Sequence, residues 1–506
     1  MSSRTDPASV ARRRRRRRGF GAGAALAASC LLAAACGAAS TAATPSAAGP
    51  AGFSSCRLDG GLAALCGTVQ VPADPSDPDG ETLDLGVAVL RGTAAAADAV
   101  PVYMLAGGPG QSAITAYPPV LAQLPELRRR HDVVLVDQRG TGRSSKMVCD
   151  EIDDPARRLD PTPDFEALER CRETLPLDPR LVTTEHAVSD LDRVRAALGH
   201  ERVALVGVSY GTRLALAYLR RHGDRVAVAV LDGVAPPPMV LFEDFAPDAQ
   251  AALDGRLARC RADAACAAAF GDLGSRVSEA LSELAGDPRP LVVQHPRTNE
   301  PVTLAWSRRL AASALRGLLY STDLAPVLPF TLDRLAADDP GPLVAQALVF
   351  SDEVEASMAA GMMLSVVCAE DVPFFDPARA RAKAEGTFLG TILVEAMAEV
   401  CQRWPHAVVS ADVKAPVHSE VPVLLLSGEL DPVTPPRWAE LARKTLPNAI
   451  HHVSPGAGHG TLLAACVPDL LVAFLRDPAA TDAALAACAD PPYEAPFFVD
   501  AGGPPP

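Results

Sequence analysis

Five short apolar runs constrain this chain more than any other feature: Val102 to Leu105, Val133 to Val136, Val203 to Val206, Val226 to Leu231 and Val421 to Leu426. Each is nearly continuous. A strand with one face in water alternates apolar and polar residues, whereas a strand buried on both faces has no polar side to show. Helical patterns separate several of the runs, for example Ala187 to Leu198 and Thr212 to Arg221. The alternation predicts an α/β fold: a mostly parallel sheet with crossover helices. An earlier strand is expected where Leu83, Leu85, Val87 and Val89 alternate and share one face.

The rhythm breaks over residues 236–404. Pro236-Pro237-Pro238 opens a stretch of long Ala- and Leu-rich helical patterns, with one hairpin-like interval around Leu291 to Leu304. A mainly helical insertion between two strands is expected there, a cap that divides the core into residues 55–235 and 405–490. The tail, 491–506, is Pro-rich and expected to wrap the surface irregularly.

Gly207-Val208-Ser209-Tyr210-Gly211 directly follows one apolar run and directly precedes a helical pattern. In that context G-x-S-x-G is a turn so tight that only glycine fits on either side, and it lifts the serine oxygen clear of the sheet. Ser209 is the candidate nucleophile. The Tyr210 N–H and the helix N-terminus lie where an oxyanion would develop. A serine hydroxyl is a weak nucleophile, so it needs a base and a group to orient that base. In this arrangement the acid follows the serine in the chain and the histidine comes last. After Val421 to Leu426 comes Ser427-Gly428-Glu429-Leu430-Asp431-Pro432. Asp431, deeper in the loop, is the candidate acid, and Glu429 is its competitor. An apparent strand from Ala449 to Val453 leads into Ser454-Pro455-Gly456-Ala457-Gly458-His459-Gly460. His459 is the candidate base, with His451 and His452 expected on the strand itself. A second oxyanion donor is sought in Gly107-Gly108-Pro109-Gly110. Pro109 has no N–H, so Gly108 leads, with Gly107 or Gly110 as alternatives. A phosphate-cradling loop does not fit, because the Lys-Ser or Lys-Thr and the G-x-G-x-x-G spacing are both missing.

These stretches, with Asp137-Gln138-Arg139-Gly140-Thr141-Gly142-Arg143-Ser144 and Gly428-Glu429-Leu430-Asp431, resemble the proline iminopeptidase and secreted tripeptidyl aminopeptidase branch of the α/β-hydrolases over residues 56–490. Cys368-Ala369-Glu370-Asp371, with Cys401 and Trp404 downstream, resembles the tripeptidyl subgroup more closely. The resemblance implies an α/β-hydrolase fold with a large helical cap. It also implies a serine exopeptidase that acts on peptides with free N-termini and uses no metal or organic cofactor. Such an enzyme must tell an α-ammonium from an internal amide, and a carboxylate at a fixed distance from the nucleophile does so. Glu370, where the iminopeptidases carry an amine-binding glutamate, is the candidate substrate-binding residue, and Asp371 is the second. The alternative for either is a carboxylate bonded to local backbone. Asp137 and Arg139 are expected to pair and to hold their loop in shape. The rival functions are an esterase or amidase on a small non-peptide substrate, since this fold hosts many chemistries, and a non-catalytic binding protein.

The N-terminus reads as an address. Arg12 to Arg18 is an unbroken basic run, and Gly19 to Ala35 carries no charge, which together form the signal-peptide pattern over residues 1–35. Arg17-Arg18-Gly19-Phe20 resembles a twin-arginine motif. Leu32-Ala33-Ala34-Ala35-Cys36-Gly37 resembles a bacterial lipobox, which makes Cys36 a lipidation candidate. Residues 36–54 are expected to form a flexible tether. Behind the signal the chain carries 39 basic residues against 60 acidic ones, a poor partner for nucleic acid phosphates. Ten cysteines remain: Cys56, Cys66, Cys149, Cys171, Cys260, Cys266, Cys368, Cys401, Cys466 and Cys488. An even number in an exported chain suggests five disulfides. Pairing of neighbours gives short loops, but the connectivity is left open. The expected location is extracellular, periplasmic or lipid-anchored at the cell envelope, with contact to membrane only through such an anchor.

Overall fold

The computed structural model describes residues 51–96, 98–149, 159–160, 162–488 and 495–504. The signal segment, Cys36, most of the tether and the first residues of the tail lie outside the described residues.

Nine strands form one sheet in the order β1-β2-β3-β5-β4-β6-β7-β10-β11. They are β1 (Ser54–Arg57), β2 (Ala63–Pro72), β3 (Thr82–Leu90), β4 (Val102–Leu105), β5 (Val133–Val136), β6 (Val203–Val208), β7 (Val226–Asp232), β10 (Val423–Gly428) and β11 (Ala449–Ser454). The pairings β1·β2, β2·β3 and β3·β5 are antiparallel, and every pairing from β5 through β4, β6, β7 and β10 to β11 is parallel.

The continuous apolar runs are explained by the two faces of this sheet. Val134, Val136, Val203, Leu205, Val423 and Leu425 pack into one buried cluster. Their immediate neighbours Val133, Leu135, Ala204, Val206, Leu424 and Leu426 pack into another. Successive side chains point to opposite faces, and here both faces are covered by helices. Each fully buried Val or Leu contributes about 1.5–3 kcal/mol relative to exposure, so no polar residue is tolerated in these positions.

Between β7 and β10 the chain leaves the sheet. It forms a short antiparallel pair, β8 (Arg289–Gln294) with β9 (Pro301–Trp306), and helices that include Phe245–Ala262, Arg308–Tyr320 and Ala360–Glu370. This region has its own apolar cluster, in which Trp306, Leu310, Leu315, Leu332, Leu343 and Leu348 take part. The helix Arg308–Tyr320 shows the local logic. The Ser307 hydroxyl accepts the Leu310 N–H at 3.2 Å, capping the N-terminus. Leu310, Ala311, Ala314, Leu315 and Leu318 then recur at three- and four-residue spacing and face inward.

Five disulfides join cysteines that are neighbours in sequence: Cys56–Cys66, Cys149–Cys171, Cys260–Cys266, Cys368–Cys401 and Cys466–Cys488. Among the described residues no helix is long and apolar enough to cross a membrane.

Candidate active site

Ser209 sits between β6 and the helix Tyr210–His222, at φ 56° and ψ −125°. L-residues rarely adopt positive φ, and such strain persists only where the surroundings over-determine it. Here they do. A Cβ on Gly207 would lie 2.5 Å from Gly211 O, and one on Gly211 would overlap Leu105 O on the neighbouring strand. The Ser209 N–H donates to Asp232 O at 2.8 Å, and its carbonyl accepts the Thr212 N–H at 2.9 Å. Serines at helix N-termini usually spend their hydroxyl on a cap, as Ser112 does for Thr115. Ser209 occupies the capping position but makes no side-chain cap bond, so its oxygen remains uncommitted.

Asp431 and His459 meet directly. His459 Nδ1 stands 2.8 Å from Asp431 Oδ2, with Thr434 Oγ1 3.1 Å from the same nitrogen. The carboxylate is almost fully buried and saturated. Oδ1 accepts the Val433 and Thr434 N–H groups, both at 2.8 Å, and Oδ2 also accepts the Thr434 hydroxyl at 2.8 Å. Burial alone would push the Asp431 carboxyl up, but the imidazole and these donors hold it below the usual carboxylate range. Burial likewise opposes charge on His459, yet Asp431 outweighs it and lifts the imidazole above its ordinary value. With the Nδ1–H turned to the carboxylate, Nε2 is left as the basic nitrogen.

Two elements hold the histidine loop. From the cap side, Tyr320 O accepts the His459 N–H at 2.8 Å and Thr322 Oγ1 accepts the Gly458 N–H at 2.9 Å. Arg256 donates to Gly456 O at 2.6 Å, and the Tyr320 ring meets the imidazole edge-on at 5.1 Å. Glu429, the competing acid, accepts the Gly456 N–H and pairs with Arg259 at 2.8 Å, so it braces this loop without touching His459.

Among the described residues no hydrogen bond joins Ser209 Oγ to His459. What brings them into one corner is the end of β7. Asp232 holds the Ser209 backbone, and a Cβ on the next residue, Gly233, would lie 3.2 Å from His459 Cε1. Catalytic hydrogen bonds are often long without substrate and tighten when it binds.

The glycine loop lies over the serine. A Cβ on Gly107 would stand 3.0 Å from Ser209 Cβ. Among the described residues neither the Gly108 N–H nor the Tyr210 N–H has an acceptor, which leaves both donors open. The loop is backed by the cap, where Ser357 O accepts the Ser112 N–H at 2.7 Å.

Glu370 and Asp371 end the helix Ala360–Glu370, and both are buried. Asp371 is committed to two cations: Arg213 at 2.9 Å and Lys414 at 2.6 Å. It also accepts the Leu241 N–H at 2.9 Å. Glu370 accepts the Thr184 N–H at 2.6 Å and the Thr184 hydroxyl at 2.7 Å, and that hydroxyl touches Tyr210 Oη at 2.8 Å. Among the described residues no cation lies within ion-pair distance of Glu370. Burial raises its carboxyl above the ordinary value, against the Thr184 donors.

One expectation is corrected. Asp137 and Arg139 do not pair with each other. Arg139 makes a two-point contact with Asp190, at 2.7 and 2.8 Å. Asp137 accepts the Ser112 hydroxyl at 2.7 Å and the N–H groups of Ile114 and Arg143. Both still fix the loop, Asp137 partly from within it through Arg143 and both through partners 23 to 51 residues away that a local reading could not name. Sequence reasoning also passed over Asp232, Thr434 and Tyr320. Asp232 carried a signal, a carboxylate closing an apolar run at the end of the sheet where the serine emerges. Tyr320 carried none, because its hydrogen bond comes from the backbone carbonyl and its ring contact from a distant part of the chain.

Comparison with known proteins gives a family and a set of relatives. The family described as alpha/beta hydrolase fold matches residues 100–464. Serine protease Hip1 of Mycobacterium tuberculosis is 27% identical over 416 residues, which cover 75% of this chain and 78% of that protein. Tripeptidyl aminopeptidase of Streptomyces lividans is 32% identical over 192 residues, 34% of this chain and 35% of that protein. A probable proline iminopeptidase of Streptomyces coelicolor is 35% identical over 140 residues, 27% of this chain and 33% of that protein.

Proposed function

The chain belongs to the α/β-hydrolase fold family, and on that premise we propose that it is an exported serine exopeptidase that cleaves short peptides or single residues from free peptide N-termini. The observation that carries the reading is the strained, uncapped Ser209 in the same corner as the buried Asp431–His459 couple. In the proposed cycle Ser209 attacks the carbonyl and His459 Nε2 takes the proton, later returning it to the leaving amine. Asp431 holds the imidazole and stabilises its charge. The Gly108 and Tyr210 N–H groups receive the oxyanion, a contribution of about 10²–10³ in kcat per donor.

Peptide specificity is supported by the names of the relatives and by Glu370. A buried carboxylate with no cation at ion-pair distance among the described residues is poised for one brought by the substrate, and an α-ammonium is such a cation. Asp371 is already neutralised, so the amine role falls to Glu370. Five disulfides and the basic-then-apolar N-terminus support export.

The test is a panel of peptidyl anilides with free and acetylated N-termini, run beside a simple acyl ester. Free termini should be cleaved and acetylated ones spared. Glu370→Gln should raise KM for the free-amine substrates by about 10-fold or more while leaving ester turnover near wild type. Equal cleavage of blocked and free peptides would sink the exopeptidase reading.

A further inference from the structure

Asp232 closes β7 and is completely buried. Its main-chain carbonyl accepts the Ser209 N–H at 2.8 Å. Its carboxylate accepts the Thr461 N–H at 2.6 Å, the Thr461 hydroxyl at 2.8 Å and the Leu462 N–H at 2.9 Å, immediately beyond His459. Gly233 follows, at φ +63°, and donates to Leu426 O at 2.9 Å on β10, the strand that leads to Asp431. A Cβ on Gly233 would stand 3.0 Å from Thr434 Oγ1 and 3.2 Å from His459 Cε1. One dipeptide therefore touches the nucleophile turn, the acid's strand and the imidazole.

Nothing in strand geometry asks for an ion here. Burying a carboxylate is unfavourable unless donors or a cation compensate it. Among the described residues Asp232 has no Arg or Lys partner, only three donors that all belong to the histidine loop. Burial pushes its carboxyl up to about 6, against the pull of those donors and of His459.

Resting on the assignment of Ser209 and His459 above, we propose that Asp232 is a positioning residue that registers the histidine loop against the nucleophile turn, acting through Thr461 and Leu462. Its carboxylate is bonded to the residues that follow His459 and adjoins Gly233, which borders the ring, so its charge favours the imidazolium that forms during proton transfer. The other groups facing this pair are Asp431 from the loop after β10, Tyr117 from the helix Ala113–Ala122, and Arg316 and Tyr320 from the helix Arg308–Tyr320.

Two substitutions separate anchor from charge. In Asp232→Asn the amide oxygen accepts both N–H groups and the NH₂ donates to the Thr461 hydroxyl, so the charge is lost and the Thr461 bond is reversed while the backbone anchors stay. Asp232→Ala removes every acceptor. Turnover of a chromogenic acyl ester is measured per fluorophosphonate-titrated site, which discounts unfolded chains and does not depend on peptide specificity. Asp232→Ala should lose about 10-fold or more in kcat with KM little changed. Asp232→Asn should restore most of that loss and move the acid limb of kcat/KM to lower pH by about half a unit. Wild-type turnover per site in Asp232→Ala would overturn the proposal, as would an Asp232→Asn variant as impaired as Ala with an unmoved limb. If Asp232→Ala does not fold, Thr461→Val poses the same question: a few-fold loss in kcat supports the proposal and a wild-type value overturns it. A wild-type chain that the probe fails to label would instead remove the hydrolase assignment itself.

Discussion

At Ser209 the backbone holds φ 56° and ψ −125°, a conformation natural to glycine and strained for any residue with a Cβ. The proposed function requires the serine, which accounts for the retained strain. Ser209→Gly should therefore be more stable than Ser209→Ala by about 1 kcal/mol, after allowing for the extra unfolded-state entropy of glycine. Urea midpoints measure the difference, and equal midpoints would mean the turn is not strained. Both variants should lose about 10⁶ in kcat. The Asp431–His459 couple makes a second claim at this scale. In the proposed cycle turnover needs neutral His459, and Asp431 raises that imidazole, so the acid limb of kcat/KM should lie above the ordinary imidazole value of about 6.5. Asp431→Asn should bring the limb down and lower kcat by about 10⁴. A wild-type limb below 6 would contradict this account. The couple also links stability to pH. The contribution of His459 is full below about 6.5 and fades as pH rises through its raised folded value. That of Asp431 is full above about 3.9 and fades as pH falls through its depressed folded value.

Among elements, the helix Ala360–Glu370 joins cap to core. Its last residues reach the helix that follows the nucleophile: Asp371 pairs with Arg213, and Glu370 meets Thr184, whose hydroxyl contacts Tyr210. Arg213 and Lys414 share the single Asp371 carboxylate inside the protein. Removing that carboxylate leaves two buried cations facing each other. Asp371→Ala should destabilise by about 3–5 kcal/mol, measured by chemical denaturation. A loss under 1 kcal/mol would mean that water reaches the pair. This is also why the sequence could offer Asp371 only as a second amine-binding candidate: its partners lie 158 and 43 residues away, and no local pattern announces them.

For the whole molecule, the covalent cross-links are the disulfides. The five loops closed by disulfides span 6 to 33 residues, so each bond restricts the unfolded chain locally. Native disulfides of this kind contribute about 2–4 kcal/mol each. Reduction under denaturing conditions, followed by thiol blocking and return to native buffer, should lower Tm by about 10 °C or more. An unchanged Tm would show that packing alone holds the fold. The largest loop, Cys368–Cys401, ties the Glu370 helix to the helix Ile392–Cys401. Cys368→Ser with Cys401→Ser should therefore account for a substantial share of the loss.

The sequence alone determined the buried strands and the chemistry's raw material. Continuous apolar runs specify strands buried on both faces, because period-two geometry leaves no polar side. Gly207 and Gly211 specify the turn that presents Ser209, because no other residue fits. The order of serine, acid and histidine followed from which strand ends come first in the chain. Tertiary structure decided what depends on contacts between distant segments. Glu429 was turned toward Arg259 and Asp431 toward His459. The cysteines paired as neighbours, a connectivity the sequence had left open. Arg139 was given to Asp190 rather than Asp137. Asp232 was bonded to both the turn at Ser209 and the loop that follows His459. A hydrogen-bond partner is chosen by position in space, and position is set only once the sheet has brought remote strand ends together.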